Sequence, residues 1–169
     1  VVVDPQHHAA AVAAVTAEGD PARRIETVIR GGLAQIPSTS RLYESIMTVV
    51  DGYQGGVSQA DCFAAIHTRW NEHDGDDWCH TISSAMIVAA SLLCGEGDYG
   101  KSICMAVETG FDTDCNGATV GSIAGACLGI DKVPAYWYEC FNDTVATYLT
   151  GYETLSIEDV IQRLVKLNG

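Results

Sequence analysis

Apolar residues recur along this chain at the spacing of amphipathic helices. Between positions 42 and 50 they fall at Leu42, Ile46, Val49 and Val50, which is one face of a helix with 3.6 residues per turn. The segment from Thr81 to Cys94 is apolar on nearly every side, and this is typical of a helix buried in a core. No stretch shows a convincing strand alternation. The pattern therefore predicts an all-α fold with the 81–94 helix near its centre.

Capping residues and glycines mark the expected helix ends. Asp20 followed by Pro21 predicts the start of a first helix, which Gly31–Gly32 is expected to close. Serines are expected to open later helices: Ser38 or Ser40 for the second, Ser58 for the third and Ser156 for the last. The run Ser156–Asp159 resembles a capping box. The predicted inner face of this last helix is Ile157, Val160, Ile161, Leu164 and Val165.

Four glycines spaced four residues apart follow Cys115, at positions 117, 121, 125 and 129. Each glycine inside a helix costs up to about 1 kcal/mol relative to alanine, so four need a compensating reason. Close approach of a neighbouring helix along this face supplies that reason. We expect the neighbours to include the buried 81–94 helix.

Length and charge limit the classes of protein and partner. The 169 residues suffice for one domain, and the net charge of -13 argues against binding to nucleic acid or to an anionic membrane. The longest strongly apolar stretches, 82–94 and 118–130, are too short to span a bilayer. No secretion leader opens the chain, so nothing in it suggests secretion. Its first residue is Val1 rather than Met, which predicts a piece of something longer.

Cysteine usage indicates the redox environment. The seven cysteines form no C-x-x-C pair and match no zinc ribbon or compact disulfide framework. Most are expected on apolar helical faces, where a free cysteine behaves as a small hydrophobe. We therefore predict a reduced, cytoplasmic protein.

The run Asp112-Thr113-Asp114-Cys115-Asn116-Gly117 is the main candidate for chemistry. It begins like a calcium loop, but the twelfth position, where an EF-hand needs Glu, is Ile123. One acid at this place is explained by helix capping. Two acids between tightly packed helices would be costly to bury without a cation. Hard oxygen ligands favour magnesium, manganese or calcium over zinc.

The longer run from Gly110 to Ala126, GFDTDCNGATVGSIAGA, closely resembles the C-terminal metal motif of the ADP-ribosylglycohydrolase family. This family includes the dinitrogenase reductase-activating glycohydrolase and crystallin relatives. The helix beginning HTISSA at His80 and the joint GEGDY at 95–99 also look like that family. Convincing resemblance covers residues 78–131, and the flanking segments carry no specific motif.

The resemblance implies an all-α orthogonal bundle in which two Mg2+ ions, with Mn2+ as the alternative, lie in a cleft. Family members cleave the bond between C1 of an ADP-ribose ribose and a protein side chain or another leaving group. By matching position, Asp112 and Asp114 would be the catalytic metal ligands, and Cys115 would occupy the next ligand position. The residues that the resemblance places at the substrate are His80, Gly110, Phe111, Asn116 and Gly117.

Two departures from the family pattern change the expectation. Cys115 stands where the family typically has Thr or Ser, and a thiol is a poor ligand for magnesium. The family's Ser/Thr-Asp-Asp motif is absent, and the nearest triplet, Gly75-Asp76-Asp77, lacks the hydroxyl. We therefore expect residues 1–169 to form about the C-terminal half of a single domain, completed by an N-terminal half or a second chain.

Alternatives remain open for the function and for the segment 70–80. The chain is predicted to act on ADP-ribosylated protein or a small ribosyl compound, or to be a non-catalytic binding or structural protein like the crystallin relatives. The segment WNEHDGDDWCH offers acids, histidines and indoles that could stack on an adenine or ribose. It also fits a solvated acidic loop that complements the dipole of the following helix. His67 is expected to be a surface or core histidine.

Overall fold

The computed structural model describes residues 19–168, which form two compact units that meet at the Lys132–Val133 bond. The first unit contains six α-helices among the described residues: α1 Pro21–Leu33, α2 Arg41–Gln54, α3 Gln59–Arg69, α4 Thr81–Gly95, α5 Tyr99–Glu108 and α6 Thr113–Leu128. A 3-10 turn at Ile130–Lys132 ends it. The prediction of one domain over 1–169 stays a prediction.

Helix α4 is the centre of the first unit. It is buried from Met86 to Gly95 without interruption, and it packs against α1, α2, α3, α5 and α6. Because every side of α4 meets another helix, its nearly uniform apolar character is satisfied by the core. The prediction of a central buried helix is confirmed.

Two of the predicted serine caps are observed in the first unit. The Ser40 hydroxyl accepts a hydrogen bond from the Tyr43 amide over 3.2 Å, and the Ser58 hydroxyl accepts one from the Asp61 amide over 3.1 Å. The predicted end of α1 is wrong by a short distance, since Gly31 and Gly32 lie inside the last turn. The helix continues to Leu33 because that side chain is buried in the core.

The glycine face of α6 packs against α5. A Cβ atom built on Gly117 would lie 3.0 Å from Val107 Cγ2, and one on Gly121 would lie 3.3 Å from Ile103 Cδ1. Gly129 ends the helix with a positive φ of 77°. Helix α6 also packs against α4, as expected, but the close contacts at these glycines are with α5. Only residues 109–112 connect α5 to α6, and so short a connection holds the two helices together as antiparallel neighbours.

The second unit is small and partly β. It contains 3-10 turns at Ala135–Trp137 and Glu139–Phe141, the strands β1 Thr144–Ala146 and β2 Thr154–Ser156, and helix α7 Ile157–Asn168. The strands are antiparallel, with Val145 opposite Leu155. Each strand is only three residues long, too short for alternation to be visible in the sequence. The all-α fold class is confirmed apart from this ribbon.

The N-terminus of α7 is capped by two side chains. The Ser156 hydroxyl accepts from the Asp159 amide over 3.0 Å, as the sequence predicts. The second cap lies outside the predicted capping box Ser156–Asp159. It is the Asp143 carboxylate, which accepts from the Glu158 amide over 2.9 Å. The Asp159 carboxylate instead pairs with Arg163.

The predicted inner face of α7 is only partly covered. Ile157 and Val160 line a shallow apolar hollow with Phe141 and Val145. Farther along the helix, Ile161, Leu164 and Val165 are 46%, 54% and 60% exposed. The prediction that this whole stripe is internal is therefore wrong, because the hollow takes in only residues from the first half of the helix.

The cysteines are all unpaired, and their burial differs from the expectation. Cys62, Cys94 and Cys127 are buried, whereas Cys79, Cys104, Cys115 and Cys140 are exposed. Most of them are thus not apolar core residues. Between residues 19 and 168, no helix combines the length and apolar character needed to cross a bilayer.

Candidate metal centre

The metal-like motif lies in the loop from α5 to α6. Gly110 and Phe111 both have left-handed backbone conformations, with φ of 82° and 62°. Asp112 follows as the residue before the first turn of α6, and its main-chain carbonyl accepts from the Asn116 amide over 2.9 Å. Its side chain makes no capping hydrogen bond. Simple helix capping therefore does not account for the Asp112 carboxylate.

Asp112 instead faces two side chains from the first turn of α6. One ligand atom from each of Asp112, Asp114 and Cys115 lies within 4.8 Å of the other two. Asp112 is half-buried, while Asp114 and Cys115 are exposed. The three predicted metal ligands are thus brought together, at a helix N-terminus whose dipole favours anions.

Hydrogen bonds set the protonation of this cluster. The pKa of Asp114 is lowered, first by a side-chain hydrogen bond with Asp112 and then by the amides of Asp114 and Cys115. The pKa of the Cys115 thiol is raised, first by its hydrogen bond to Asp112 and next by the negative charge there, with Cys79 contributing last. At neutral pH the cluster offers an ionised carboxylate on Asp114 beside a protonated thiol.

This donor set fits a hard divalent cation through its carboxylates and not through its thiol. Magnesium takes oxygen ligands in octahedral geometry and is usually held by one or two carboxylates with several waters. The thiolate, not the thiol, is the form of cysteine that binds metals. The role of Asp112, Asp114 and Cys115 as metal ligands stays a prediction that this geometry permits.

The other predicted site residues lie around this cluster with different exposures. Phe111, Asn116 and Gly117 are buried, and Gly110 is half-buried. The Asn116 side-chain Nδ2 is buried and has no hydrogen-bond partner among residues 19–168. The predicted contacts of these residues with a substrate remain predictions.

His80 has a structural role that the sequence did not indicate. It precedes the first turn of α4, where its Nδ1 accepts from the Ile82 amide over 3.1 Å. Its ring stacks on Trp70 with the centroids 4.7 Å apart. Because Nδ1 acts as the acceptor, the neutral ring carries its proton on Nε2. The prediction that His80 contacts substrate stays a prediction.

Two residues that the sequence analysis did not place at the motif hold its loop. The Glu72 Oε2 atom accepts a hydrogen bond from the Phe111 amide over 3.3 Å. The His67 Nε2 atom lies 2.9 Å from the Thr109 carbonyl oxygen, and its ring packs 5.0 Å from that of Phe111. Both are about 40 positions from their partners, so no local sequence signal could reveal them.

Comparison with known proteins agrees with the motif. The family model described as ADP-ribosylglycohydrolase matches residues 4–168, nearly the whole chain. No curated protein and no solved structure matches the chain. The chain therefore belongs to the ADP-ribosylglycohydrolase family, whose activity is glycohydrolase-type cleavage of ADP-ribosyl compounds.

Proposed function

We propose that this chain supplies part of the metal centre of a magnesium-dependent hydrolase that cleaves the ribosyl C1 bond of an ADP-ribosylated substrate. The observation that carries the proposal is the side chain of Asp112. It stands at a helix start without capping the helix. One of its carboxylate oxygens, a carboxylate oxygen of Asp114 and the Cys115 sulfur all lie within 4.8 Å of one another.

The chain's own residues have defined parts in this function. Asp112 and Asp114 hold the cation, and the lowered pKa of Asp114 extends the ionised range of its carboxylate to more acidic pH. The positive end of the α6 dipole favours a negatively charged group, such as a diphosphate, beside the metal. Bound magnesium supplies positive charge that orients ribose hydroxyls and water and stabilises charge in the transition state.

The aromatic pair at the start of α4 is the proposed substrate side. Trp70 and His80 are stacked and half-buried, and Cys79, next to His80, lies close enough to Cys115 to act on its pKa. This supports a position of the pair near the motif. The His80 Nε2–H is the donor that we assign to a ribose hydroxyl or phosphate oxygen. The substrate is ADP-ribosylated protein or a small ribosyl compound.

The ligand count leads to the second part of the proposal. Within the described residues only three groups converge, and one is a thiol, so a magnesium ion held by these residues alone would take most of its six ligands from water. We therefore propose that a further protein segment, an N-terminal half or a second chain, completes the centre. Residues 1–169 alone should bind Mg2+ weakly and should not hydrolyse ADP-ribosyl substrates. Turnover by purified 1–169 would refute this second part.

Substitution of each carboxylate tests the metal centre. Asp112→Asn and Asp114→Asn should each remove most Mn2+ binding, followed by electron paramagnetic resonance, and should abolish hydrolysis by the completed protein. Circular dichroism should be unchanged, because both side chains lie outside the core. Asp131→Asn, an exposed acid after α6, is the control for loss of one negative charge. Equal binding by all four proteins would show that the motif is not a metal centre.

A non-catalytic relative with a weakened site is the second candidate function. The observation that favours it is Cys115, a thiol in a ligand position, whose raised pKa further disfavours the thiolate form that binds metals. A completed protein that binds ADP-ribose but does not hydrolyse ADP-ribosyl substrates would support this candidate over the first.

A further inference from the structure

The Glu72 carboxylate lies directly against the main chain of the motif loop. Its Oε2 atom accepts from the Phe111 amide over 3.3 Å. The contact with Gly110 is closer still, because a Cβ atom built on that glycine would stand 1.8 Å from the same oxygen. Gly110 therefore leaves the space that the Glu72 carboxylate occupies. Any larger residue there would displace the carboxylate.

This contact falls where the backbone is strained. Phe111 has a φ of 62°, a conformation that bulky residues rarely adopt. Such conformations persist only where surrounding contacts hold them, and they cluster at functional sites. The contacts here are the Glu72 hydrogen bond, the burial of the Phe111 ring against His67 and the bond between His67 and Thr109.

Glu72 has no stronger partner among the described residues. Its one ion-pair neighbour is His73, at 4.0 Å, and the His73 side chain is 86% exposed. An exposed pair at that distance contributes little. The hydrogen bond to the Phe111 amide is thus the main specific contact of the Glu72 side chain.

We infer that Glu72 is a positioning residue for the metal centre. Its carboxylate fixes the left-handed backbone at Gly110 and Phe111, and this sets the direction in which the next residue, Asp112, presents its own carboxylate. Without the hydrogen bond, the loop can relax toward ordinary φ values, and Asp112 turns away from Asp114. The inference rests on the proposed metal function.

The inference also gives Gly110 and Phe111 a specific part. Both were expected at the substrate, whereas here Gly110 provides space for Glu72 and Phe111 donates the hydrogen bond that Glu72 accepts. Residues that orient metal ligands without touching the metal typically change affinity by about 10- to 100-fold when they are replaced. Glu72 acts at one further remove, through the backbone, so we expect the lower end of that range.

Three variants of the full 1–169 chain test the inference. Mn2+ affinity is measured by electron paramagnetic resonance, and exchange of the Phe111 amide proton is measured by NMR. Glu72→Ala should weaken Mn2+ binding about tenfold and accelerate Phe111 amide exchange. Glu72→Gln keeps an acceptor oxygen and should retain affinity within about threefold. Glu108→Ala removes an exposed charge near the same loop and should leave both readouts unchanged.

The outcomes separate this inference from the proposed function. If the parent chain binds no Mn2+, the metal function fails and the inference fails with it. If the parent binds Mn2+ and Glu72→Ala binds it equally well, only the inference is overturned. If Glu72→Ala and Glu108→Ala weaken Mn2+ binding equally, the loss of one negative charge explains the effect, and the inference is also overturned. If Glu72→Ala does not fold, the parent chain alone provides the test. A Phe111 amide proton that exchanges as fast as an exposed amide would show that Glu72 does not hold it, and would overturn the inference.

Discussion

The Arg24 guanidinium donates a hydrogen bond of 2.7 Å to the main-chain carbonyl of Cys127, 103 positions later in the chain. Arg24 lies in the first turn of α1, and Cys127 lies in the last turn of α6. The bond joins the first described helix to the helix that carries the metal motif. It places a positive charge at the negative end of the α6 dipole. It also gives a hydrogen-bond donor to one of the last carbonyl groups of α6, which have no partner within the helix.

Loss of this bond should destabilise the first unit. Arg24→Ala should lower the free energy of unfolding by about 1–2 kcal/mol, because a charged hydrogen bond and a favourable dipole interaction are lost together. Urea denaturation measures the change. Arg23→Ala removes a neighbouring exposed arginine and should have an effect below about 0.5 kcal/mol. Equal losses in both variants would contradict a specific role for Arg24.

The glycine face of α6 should reject a large side chain at its buried position. A Cβ atom added to Gly121 would lie 3.3 Å from Ile103 Cδ1 and 3.4 Å from the Tyr99 hydroxyl oxygen. Gly121→Leu should therefore cost about 1–3 kcal/mol of unfolding free energy through overpacking. At Gly125 an added Cβ meets Tyr99 at an ordinary 3.6 Å. Gly125→Ala should be neutral or stabilising by up to about 1 kcal/mol through helix propensity. A larger loss of unfolding free energy in Gly125→Ala than in Gly121→Leu would contradict this packing.

Cys115 is predicted to limit the affinity of the metal centre. Cys115→Ser or Cys115→Thr replaces a protonated thiol with a hydroxyl oxygen, which suits magnesium better. Mg2+ affinity, measured by competition with Mn2+, should rise about tenfold, and activity of the completed protein should rise with it. Cys104→Ser changes an exposed cysteine on α5 and should alter neither. Unchanged affinity in Cys115→Ser would remove this side chain from the ligand set.

Asp143 should make the cap of α7 dependent on pH. Its pKa is lowered, first by the hydrogen bond from the Ser156 hydroxyl and then by the Glu158 amide. A carboxylate with a depressed folded-state pKa contributes stability at neutral pH, and this contribution is lost as the pH falls through the folded pKa. Asp143→Asn should therefore accelerate amide exchange in α7 at pH 7 and not in strong acid.

NMR titration of the Asp143 carboxyl group provides the direct check, with a midpoint expected below its ordinary value. Asparagine also tolerates the left-handed backbone at this position, where φ is 55°. The comparison thus tests the charge together with the second acceptor oxygen, because the asparagine amide nitrogen cannot accept the bond from Ser156 or Glu158. A Glu139→Gln variant, which changes an exposed acid of the same unit, should leave the exchange of α7 unchanged. An equal acceleration of exchange at both pH values would argue against the charge as the cause.

Features that depend on neighbouring residues were predictable from the sequence. The caps at Ser40 and Ser58 and the central helix α4 follow from composition over one or two turns. The grouping of Asp112, Asp114 and Cys115 within 4.8 Å also follows from their adjacency in one loop and helix start. In each case the local chain determines the geometry.

Features that depend on distant contacts were missed or wrong. The spacing of the α6 glycines indicates a close approach, but spacing does not identify the approaching helix, which is α5. Glu72 reads as one acid in a solvated loop until the fold brings it to Phe111. The apolar stripe of α7 predicts an amphipathic helix correctly, yet the stripe alone does not show which of its side chains other residues cover.

The exposure of the metal motif has an evolutionary consequence. Asp114 and Cys115 lie at the surface, where substitutions usually change stability by no more than about 0.5 kcal/mol. The bundle beneath them is held by α4 and by the glycine face of α6, and these two side chains take no part in that core. Selection for folding therefore leaves these positions free to vary. A lineage that loses the chemistry keeps an intact scaffold, available for recruitment to another purpose.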